Sequence, residues 1–368
     1  MKIEQLRNRI DKIDHRIIRL LNQRALMAMK VGELKHRNGA PIFAPVREEQ
    51  VLRRAEAYTV ESGVIGPEMM RAIYSEIISA CRSAERRLVV AFLGPRGTFS
   101  HHAAKSVRWA TVAGSAVKRR FGSSVELQPV NWIESVFAEV ANGHADYGVV
   151  PIENTTEGGI GATLDMFMES DLKVSGEILV AVHHALLARC APRAVRKIYS
   201  KAEVLGQCKR WLASHYAEAT LTEVASTAHA AELAARANDA AAVAHEEAAA
   251  IYGLHVLHRR IEDNPANMTR FYVIAQRSAA PSGRDKTSIL CFIKDQPGAL
   301  HHILQPFWRA KINLTKIESW PSKRKAWDYC FFIDFEGHRD DAKIARVLDR
   351  VHAQCSEMKI LGSFPAAR

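Results

Sequence analysis

The N-terminal segment carries apolar side chains at alternating spacings of three and four residues, the repeat of a coiled-coil seam. The repeat predicts one long helix over residues 1–38, ended by the breaker Asn38-Gly39-Ala40-Pro41. Arg24 stands where the series calls for an apolar residue. Removing a guanidinium from water costs free energy unless an anion neutralises its charge. We therefore expect a structural carboxylate or a small acidic ligand beside Arg24. The seam comprises Ile3, Leu6, Ile10, Ile13, Ile17, Leu20, Met27, Val31 and Leu34.

Two shorter helices are predicted to follow, at residues 45–60 and 67–87, the second opening with Pro67. A first helix of about 57 Å, at 1.5 Å per residue, cannot bury its whole seam against two such short partners. We therefore expect two chains to pair through this helix.

The cations of the first helix suggest a shared site. Arg24 and Lys35 lie about three helical turns apart, so both can face one ligand. Arg7 lies about 25 Å before Arg24 along the axis and on another face, so in an antiparallel pair it would complete the partner chain's site. The alternative is that all three are solvated helix charges. Arg47, Glu48 and Glu85 on the shorter helices could close the pocket.

The pattern changes at Leu88, where a buried-strand run over residues 88–93 leads through Gly94–Ser100 into a helix. Similar units follow, with strands at residues 145–150 and 195–199 and an Ala-rich helix, strand and helix over 228–251. Strands that alternate with helices predict a mostly parallel sheet, with sites at the carboxyl ends of its strands.

A linker at residues 278–283 separates a last segment. Residues 287–293 and 329–335 read as strands, and Pro297-Gly298-Ala299-Leu300 opens a helix between them. The order strand, helix, strand, strand, helix predicts a small α+β module of ferredoxin-like type.

Composition narrows the classes of partner. A chain of 368 residues suggests two or three domains, and a net charge of +11 favours anionic partners, whether nucleic acid, acidic lipid or small polycarboxylates. The six cysteines have no CxxC pairing, which is typical of free thiols in a reducing compartment. The N-terminus has no signal-peptide pattern, and no apolar run approaches the about 18 residues of a membrane span. The basic residues are scattered among acidic ones, and we expect a cytoplasmic protein that binds neither nucleic acid nor membrane.

The N-terminal block resembles the all-helical chorismate mutases. That resemblance implies that Arg24 and Arg7 of the partner subunit clamp two carboxylates, Lys35 addresses the ether oxygen and Glu48 takes the ring hydroxyl. Because a carboxylate donates only when protonated, a donating Glu85 implies mutase activity that falls as pH rises, a loss that Glu85→Gln should reduce. The resemblance rests on Leu6-Arg7, Ile10, Asp14, Arg24, Val31-Gly32-Glu33-Leu34-Lys35 and Arg47-Glu48, and it adds Arg47 and Cys81, at a commonly polar position, to the substrate-binding set.

The central block contains the motifs Gly94-Pro95-Arg96-Gly97-Thr98-Phe99-Ser100, Pro151-Ile152-Glu153-Asn154-Thr155, Tyr199-Ser200, Gln207-Cys208 and Asn267-Met268-Thr269-Arg270-Phe271. In these motifs the block resembles prephenate dehydratases. The resemblance implies that Thr269 hydrogen-bonds the leaving hydroxyl, that Asn154, Ser200 and Gln207 fix the substrate, and that Arg270 lies near the site. It also adds Thr98, Thr155 and Phe271 to the substrate-binding set. Lys201 stands where the family often has His.

The C-terminal module resembles the ACT domain, through Gly298-Ala299-Leu300 and Ile317-Glu318-Ser319-Trp320-Pro321. This implies L-phenylalanine as an effector bound across a dimer interface, by Ala299, Leu300, Asn313 and Leu314, with Glu318 and Ser319 closing the site. The family usually has Arg where Trp320 stands.

In this order the motifs resemble the family of bifunctional chorismate mutase/prephenate dehydratases. The family implies an all-α mutase domain (1–87), a two-lobed, periplasmic-binding-protein-like α/β dehydratase domain (88–278) and a ferredoxin-like ACT domain (285–363). It implies chorismate and prephenate as substrates, a homodimer or tetramer, and no cofactor.

Two other classes remain to be weighed: a ligand-responsive transcription regulator and a solute-binding protein. Residues 1–90 hold 17 basic and 11 acidic residues, which permits the regulator. A helix-turn-helix, however, needs short helices and a tight turn, and a solute-binding protein needs an export signal. The HisHis pairs at 101, 183 and 301 lack helical spacing and an evident carboxylate partner, so we expect no metal site.

Overall fold

The computed structural model describes residues 3–37, 45–62, 64–85, 88–110, 125–293, 296–324 and 328–367. It divides into two units, described separately below: residues 1–89 with 108–126, and residues 90–107 with 127–368. Within the described ranges, no helix is both long and apolar enough to cross a membrane. All six cysteines are free, as expected from their spacing.

The first unit is helical, with α1 (Ile3–Arg37), α2 (Pro45–Ser62) and α3 (Pro67–Glu85). Helix α3 packs against both of the others. Its small core includes Leu52, Ala55, Ile78 and Cys81, all buried. The seam of α1 is largely uncovered: Ile10 is 54% exposed, Leu20 55% and Met27 56%. Within one chain the seam therefore faces water, as the length of the helix predicts.

The second unit contains two mixed sheets, each flanked by helices. The first has the order β2-β1-β3-β11-β5, with β4 paired to β3, and the second has the order β10-β6-β9-β7-β8. The strands are β1 (Leu88–Leu93), β2 (Val125–Val130), β3 (Tyr147–Asn154), β4 (Gly158–Gly159), β5 (Lys173–Ala181), β6 (Ala185–Ala188), β7 (Lys197–Ser200), β8 (Thr220–Glu223), β9 (Ala240–Ala244), β10 (His255–Arg259) and β11 (Met268–Ala275). The helices are α4 (Phe99–Ala110), α5 (Ile133–Ala141), α6 (Gly161–Glu169), α7 (Ala202–Gln207), α8 (Lys209–His215), α9 (Thr227–Arg236) and α10 (Glu247–Tyr252).

The expectation of a mostly parallel sheet is wrong. Strand β11 runs antiparallel to both β3 and β5, and β6 runs antiparallel to β9 and β10. The cause is that the chain crosses from the first sheet to the second after β5 and returns after β10. Strands that arrive by such a direct crossing are not bound to the parallel direction that a βαβ unit imposes. The two crossings, residues 182–184 and 260–267, lie side by side.

A third, antiparallel sheet of order β13-β14-β12-β15 forms the C-terminal module, with two helices on one face. The sequence pattern missed its last strand. One close approach joins it to the first sheet: a Cβ at Gly362 would lie 2.2 Å from the carbonyl oxygen of Val174, so only glycine fits. The elements are β12 (Asp285–Phe292), α11 (Ala299–Arg309), β13 (Leu314–Pro321), β14 (Tyr329–Glu336), α12 (Ala342–His352) and β15 (Glu357–Pro365).

Candidate active sites

The helical unit presents the predicted cations on α1. Arg24 is half-buried, whereas Arg7 is exposed. Among the side chains that the structure describes, no carboxylate pairs with Arg24, which leaves it available to an acidic ligand. The side chains of Lys35 and Glu85 lie outside the described part of the chain.

The other predicted mutase residues lie on α2 and α3. Arg47 is exposed and donates to Gln50 Oε1 at 3.3 Å, Glu48 is half-buried and Cys81 is buried. Sequence reasoning overlooked Arg71, which is 2% exposed and forms ion pairs of 2.7 Å with both Glu49 and Glu56. Because two carboxylates already neutralise this guanidinium, we assign Arg71 a structural role.

The second unit brings Asn154 and Thr269 together. Antiparallel pairing sets Thr269, near the start of β11, opposite Asn154, the last residue of β3. Asn154 Nδ2 donates to Thr269 Oγ1 at 2.8 Å. Asn154 Oδ1 in turn accepts from the backbone N–H groups of Thr156 and Glu157, at 2.8 and 3.2 Å. The loop after β3 therefore holds the Asn154 amide with its nitrogen toward Thr269.

Gln207, from the second sheet's side, joins this pair through Asn267. Asn267 Nδ2 donates to Gln207 Oε1 at 3.1 Å, and Asn267 Oδ1 accepts from Asn154 Nδ2 at 3.0 Å. Gln207 Oε1 also lies 2.8 Å from His184 Nε2, and Gln207 Nε2 donates to Glu157 at 2.9 Å. The predicted Asn154, Gln207 and Thr269 are thus connected, and the site also contains Asn267, His184 and Glu157.

Sequence reasoning quoted Asn267 in a motif but gave it no role, and it considered His184 only as a metal ligand. Both residues lie on the crossings between the sheets, where His184 is 1% and Asn267 3% exposed. Burial lowers the pKa of His184 below its usual value, against the opposing effect of the hydrogen bond with Gln207. A buried histidine among polar motifs was the signal that could have found this part of the site.

The remaining predicted dehydratase residues have structural contacts. Thr98 Oγ1 accepts from His101 N at 3.3 Å and so caps the start of α4. Ser200 is fully buried and donates to the Val243 carbonyl at 2.6 Å. Thr155 Oγ1 accepts from Met268 N at 2.9 Å and donates to Asn267 Oδ1 at 3.3 Å, which connects it to the Asn154–Thr269 pair, and Phe271 is buried in the core. Among the described contacts, the side chains of Ser200 and Phe271 form no hydrogen bond with Asn154 or Thr269, and their part in substrate binding stays a prediction.

Arg270 follows Thr269 in the strand, but its guanidinium lies among carboxylates on the opposite face. Its guanidinium lies 3.2 Å from Asp334, 3.7 Å from Glu153 and 4.0 Å from Glu177. Successive side chains of a strand point to opposite faces, so Arg270 faces the C-terminal sheet when Thr269 faces the cleft. Asp334 is fully buried and also accepts from the Tyr272 hydroxyl at 2.5 Å.

Two of the three histidine pairs do have a carboxylate partner, so the expectation that they lack one is wrong for these two. His183 Nδ1 lies 2.7 Å from Glu262, and His102 Nδ1 lies 2.9 Å from Glu247. His102, His245 and Glu247 offer three ligand atoms within 4.8 Å of one another. The second oxygen of Glu247, however, already pairs with Lys105 Nζ at 2.7 Å. The hydrogen bond from His102, helped by Lys105, lowers the pKa of Glu247 to about 2, so this group forms an ion pair between α4 and α10.

The predicted effector residues surround β13 and the start of α11. Asn313 and Ser319 are exposed, and Ala299, Leu300 and Leu314 are half-buried. Glu318 instead pairs with Lys316 and packs on Gly159, where a Cβ would lie 2.0 Å from its carboxylate. Glu318 and Ser319 thus point to opposite faces of β13, and the structure brings Glu318 to the hairpin formed by β3 and β4.

Three family models match consecutive parts of the chain. They are chorismate mutase type II over residues 6–86, prephenate dehydratase over 90–279 and the ACT domain over 287–353. The bifunctional chorismate mutase/prephenate dehydratase of Aquifex aeolicus is 45% identical over 369 residues, which cover 100% of this chain and 98% of that protein.

Solved structures agree on the second unit. Prephenate dehydratase from Arthrobacter aurescens, in complex with L-Phe, superposes with a TM-score of 0.67 at 31% identity, over 76% of this chain and 90% of that one. GqqA, described as a novel type of quorum quenching acylase, superposes with a TM-score of 0.67 at 28% identity, over 76% of this chain and 98% of that one. Similarity along the full length, with three domains in one order, decides the assignment: the chain belongs to the family of bifunctional chorismate mutase/prephenate dehydratases.

Proposed function

We propose that this chain rearranges chorismate to prephenate in its helical unit and converts prephenate to phenylpyruvate at the Asn154–Thr269 pair. The observation that carries the second assignment is the 2.8 Å hydrogen bond from Asn154 to Thr269, at the point where Gln207 and Asn267 also meet. Family membership supports both reactions.

The mutase reaction needs no nucleophile, because its bonds form and break in one pericyclic step. The protein has to hold the substrate folded and stabilise the charge that grows on the ether oxygen. Arg24 and Arg7 of the partner subunit bind the two carboxylates, Lys35 and Glu85 address the ether oxygen, and Glu48 binds the ring hydroxyl. The half-buried Arg24, with no carboxylate partner among the described side chains, supports this role.

The trans arrangement requires a homodimer. The uncovered apolar row of α1 supports pairing, since a row of this length exposed in a single chain is unfavourable in water. Antiparallel pairing of two α1 helices would set the Arg7 end of one beside the middle of the other. The free thiols support a reducing, cytoplasmic compartment.

The dehydratase reaction breaks two bonds of prephenate. The carboxylate leaves as carbon dioxide, its bonding electrons make the ring aromatic, and the ring hydroxyl departs as hydroxide that takes up a proton to become water. A donor at that oxygen contributes about 10²–10⁴ in rate. Thr269 supplies the hydrogen bond: its oxygen already accepts from Asn154, so its own proton points to the substrate.

L-phenylalanine regulates the dehydratase through the C-terminal module. The relative from Arthrobacter aurescens was solved with L-Phe, which supports the same effector here. The module contacts β3 and α6: Lys316 Nζ lies 3.4 Å from Glu153, the residue before Asn154, and Trp320 Nε1 donates to Asp165 of α6 at 2.8 Å. An effector that shifts β13 would therefore move the residues next to Asn154.

One set of assays tests the proposal. The purified chain is given chorismate and then prephenate, with and without L-phenylalanine, and phenylpyruvate is measured. Thr269→Val should lower dehydratase turnover at least 100-fold while leaving mutase turnover unchanged, because only the hydroxyl is lost. Thr220→Val, on the exposed strand β8, is the matched control. Normal dehydration by Thr269→Val would refute the assignment of Thr269.

A further inference from the structure

The side-chain amides of Asn154, Asn267 and Gln207 form a hydrogen-bond chain whose direction is fixed at both ends. At one end, the backbone N–H groups of Thr156 and Glu157 donate to Asn154 Oδ1 at 2.8 and 3.2 Å. A backbone N–H can only donate, so Asn154 must turn its nitrogen toward Thr269 and Asn267.

At the other end stands the Glu157 carboxylate, 2.9 Å from Gln207 Nε2. An ionised carboxylate can only accept, so Gln207 must turn its nitrogen to Glu157 and its oxygen the other way. That oxygen receives Asn267 Nδ2 at 3.1 Å and faces His184 Nε2 at 2.8 Å. His184 therefore carries its proton on Nε2, and its buried Nδ1 has no partner among the described residues.

The consequence concerns what the site offers to a substrate. With two donors on Gln207 Oε1 and one hydrogen of Nε2 bound to Glu157, the group left for the substrate is the second N–H of Gln207. Thr269 likewise offers O–H, because its oxygen accepts from Asn154. Two donors suit the carboxylates and the departing hydroxide of prephenate.

We propose that Asn267 is a positioning residue of the dehydratase, which holds Gln207 with its N–H, and not its carbonyl oxygen, toward the substrate. Asn267 acts through Gln207 and does not itself touch prephenate. The inference rests on the proposed dehydratase function.

The direct test is Asn267→Asp, which keeps the shape and the acceptor for Asn154 but replaces the donor to Gln207 by an acceptor. Gln207 cannot adapt by rotating, since its oxygen would then face Glu157. The new carboxylate oxygen instead repels Gln207 Oε1 and displaces the amide, so that its N–H no longer meets the substrate. The KM for prephenate should rise about 10- to 100-fold, with kcat changed less than about threefold. The matched control is Asn264→Asp in the same segment, where Asn264 is exposed and its Oδ1 accepts from Ala266 N.

The added charge of Asn267→Asp needs its own control, which Glu157→Gln supplies. The double variant Asn267→Asp/Glu157→Gln restores the net charge and lets Gln207 rotate, but the rotated amide presents its oxygen to the substrate. The KM of the double variant should stay at least tenfold above that of the unmodified chain. A KM that returns to normal would show that charge alone matters and would overturn the proposal, as would an unchanged KM in Asn267→Asp. If the unmodified chain makes no phenylpyruvate, the dehydratase function itself fails instead.

Discussion

Replacing Arg270 by methionine separates two roles for this residue, substrate binding and domain attachment. The structure directs the guanidinium to Asp334, at 3.2 Å, within a cluster that also holds Glu177 and Glu153. Arg270→Met leaves Glu177 with Lys286, 2.8 Å away, but leaves Asp334 with no cation at comparable distance among the side chains that the structure describes. The carboxylate of Asp334 would then be buried without its countercharge.

The size of the effect follows from this geometry. Removing one partner of a buried ion pair costs about 3–5 kcal/mol. Burial already raises the pKa of Asp334, so in the variant this carboxyl can take up a proton and avoid part of the penalty. We therefore expect a loss near the lower limit, about 3 kcal/mol, in the free energy of unfolding at neutral pH.

The assay combines unfolding of the intact chain with steady-state dehydratase kinetics. Asp334→Asn, which keeps an oxygen for the Tyr272 hydroxyl, provides the second arm of a double-mutant cycle with Arg270→Met. The double variant should regain about 1–3 kcal/mol relative to the sum of the single losses. A 100-fold rise in the KM for prephenate with no loss of stability would refute this reasoning and show that Arg270 binds the substrate.

Three further predictions follow from other parts of the molecule. Arg7→Ala and Arg24→Ala should each abolish mutase activity. When the two variants are mixed in equal amounts, half of the dimers contain one subunit of each and have one intact site of two, so about a quarter of the unmodified activity should return. No recovery on mixing would contradict a site built in trans. Burial lowers the pKa values of His101 and His245 to about 4, so as pH falls below 6.5 the unfolded chain takes up protons before the folded chain does. The free energy of unfolding should therefore fall between pH 6.5 and 4, by up to about 3 kcal/mol per histidine, and the unfolding midpoint should fall with it. Equal midpoints at pH 7 and 4.5 would contradict this prediction. Gly159→Ala places a Cβ against the Glu318 carboxylate on β13 and should raise the L-phenylalanine concentration for half-inhibition at least threefold. An unchanged dose response would show that this contact plays no part in regulation.

The sequence was sufficient where a signal is local. The repeat of apolar residues predicted α1 to within two residues of its observed start, and the spacing of Arg24 and Lys35 placed both on that helix. The strand at residues 88–93 and the start of α3 at Pro67 were predicted to the residue. In each case a periodicity or a terminating residue lies within the segment itself.

The sequence was insufficient where orientation depends on a distant partner. Strand alternation shows that Thr269 and Arg270 point to opposite faces, but not which face meets the C-terminal sheet. The same holds for Glu318 and Ser319. The hydrogen bond of Ser200 could not be foreseen for a related reason, because the Val243 carbonyl that takes its proton comes from a strand more than forty residues later. Asn267 acquires its role only when both crossings between the sheets lie side by side.

The exposed row of α1 has a consequence for how the two activities scale. If the mutase site is completed by a second chain, as proposed, it exists only in the paired state, whereas a single chain contains every described residue of the dehydratase cleft. Below the concentration at which half the chains are paired, mutase output should grow with the square of the subunit concentration, and dehydratase output in direct proportion to it. The ratio of the two rates, measured across a dilution series, then reports the pairing equilibrium without any physical separation of the species. In dilute protein the dehydratase rate should then exceed the mutase rate, so that the chain would consume prephenate faster than it supplies it.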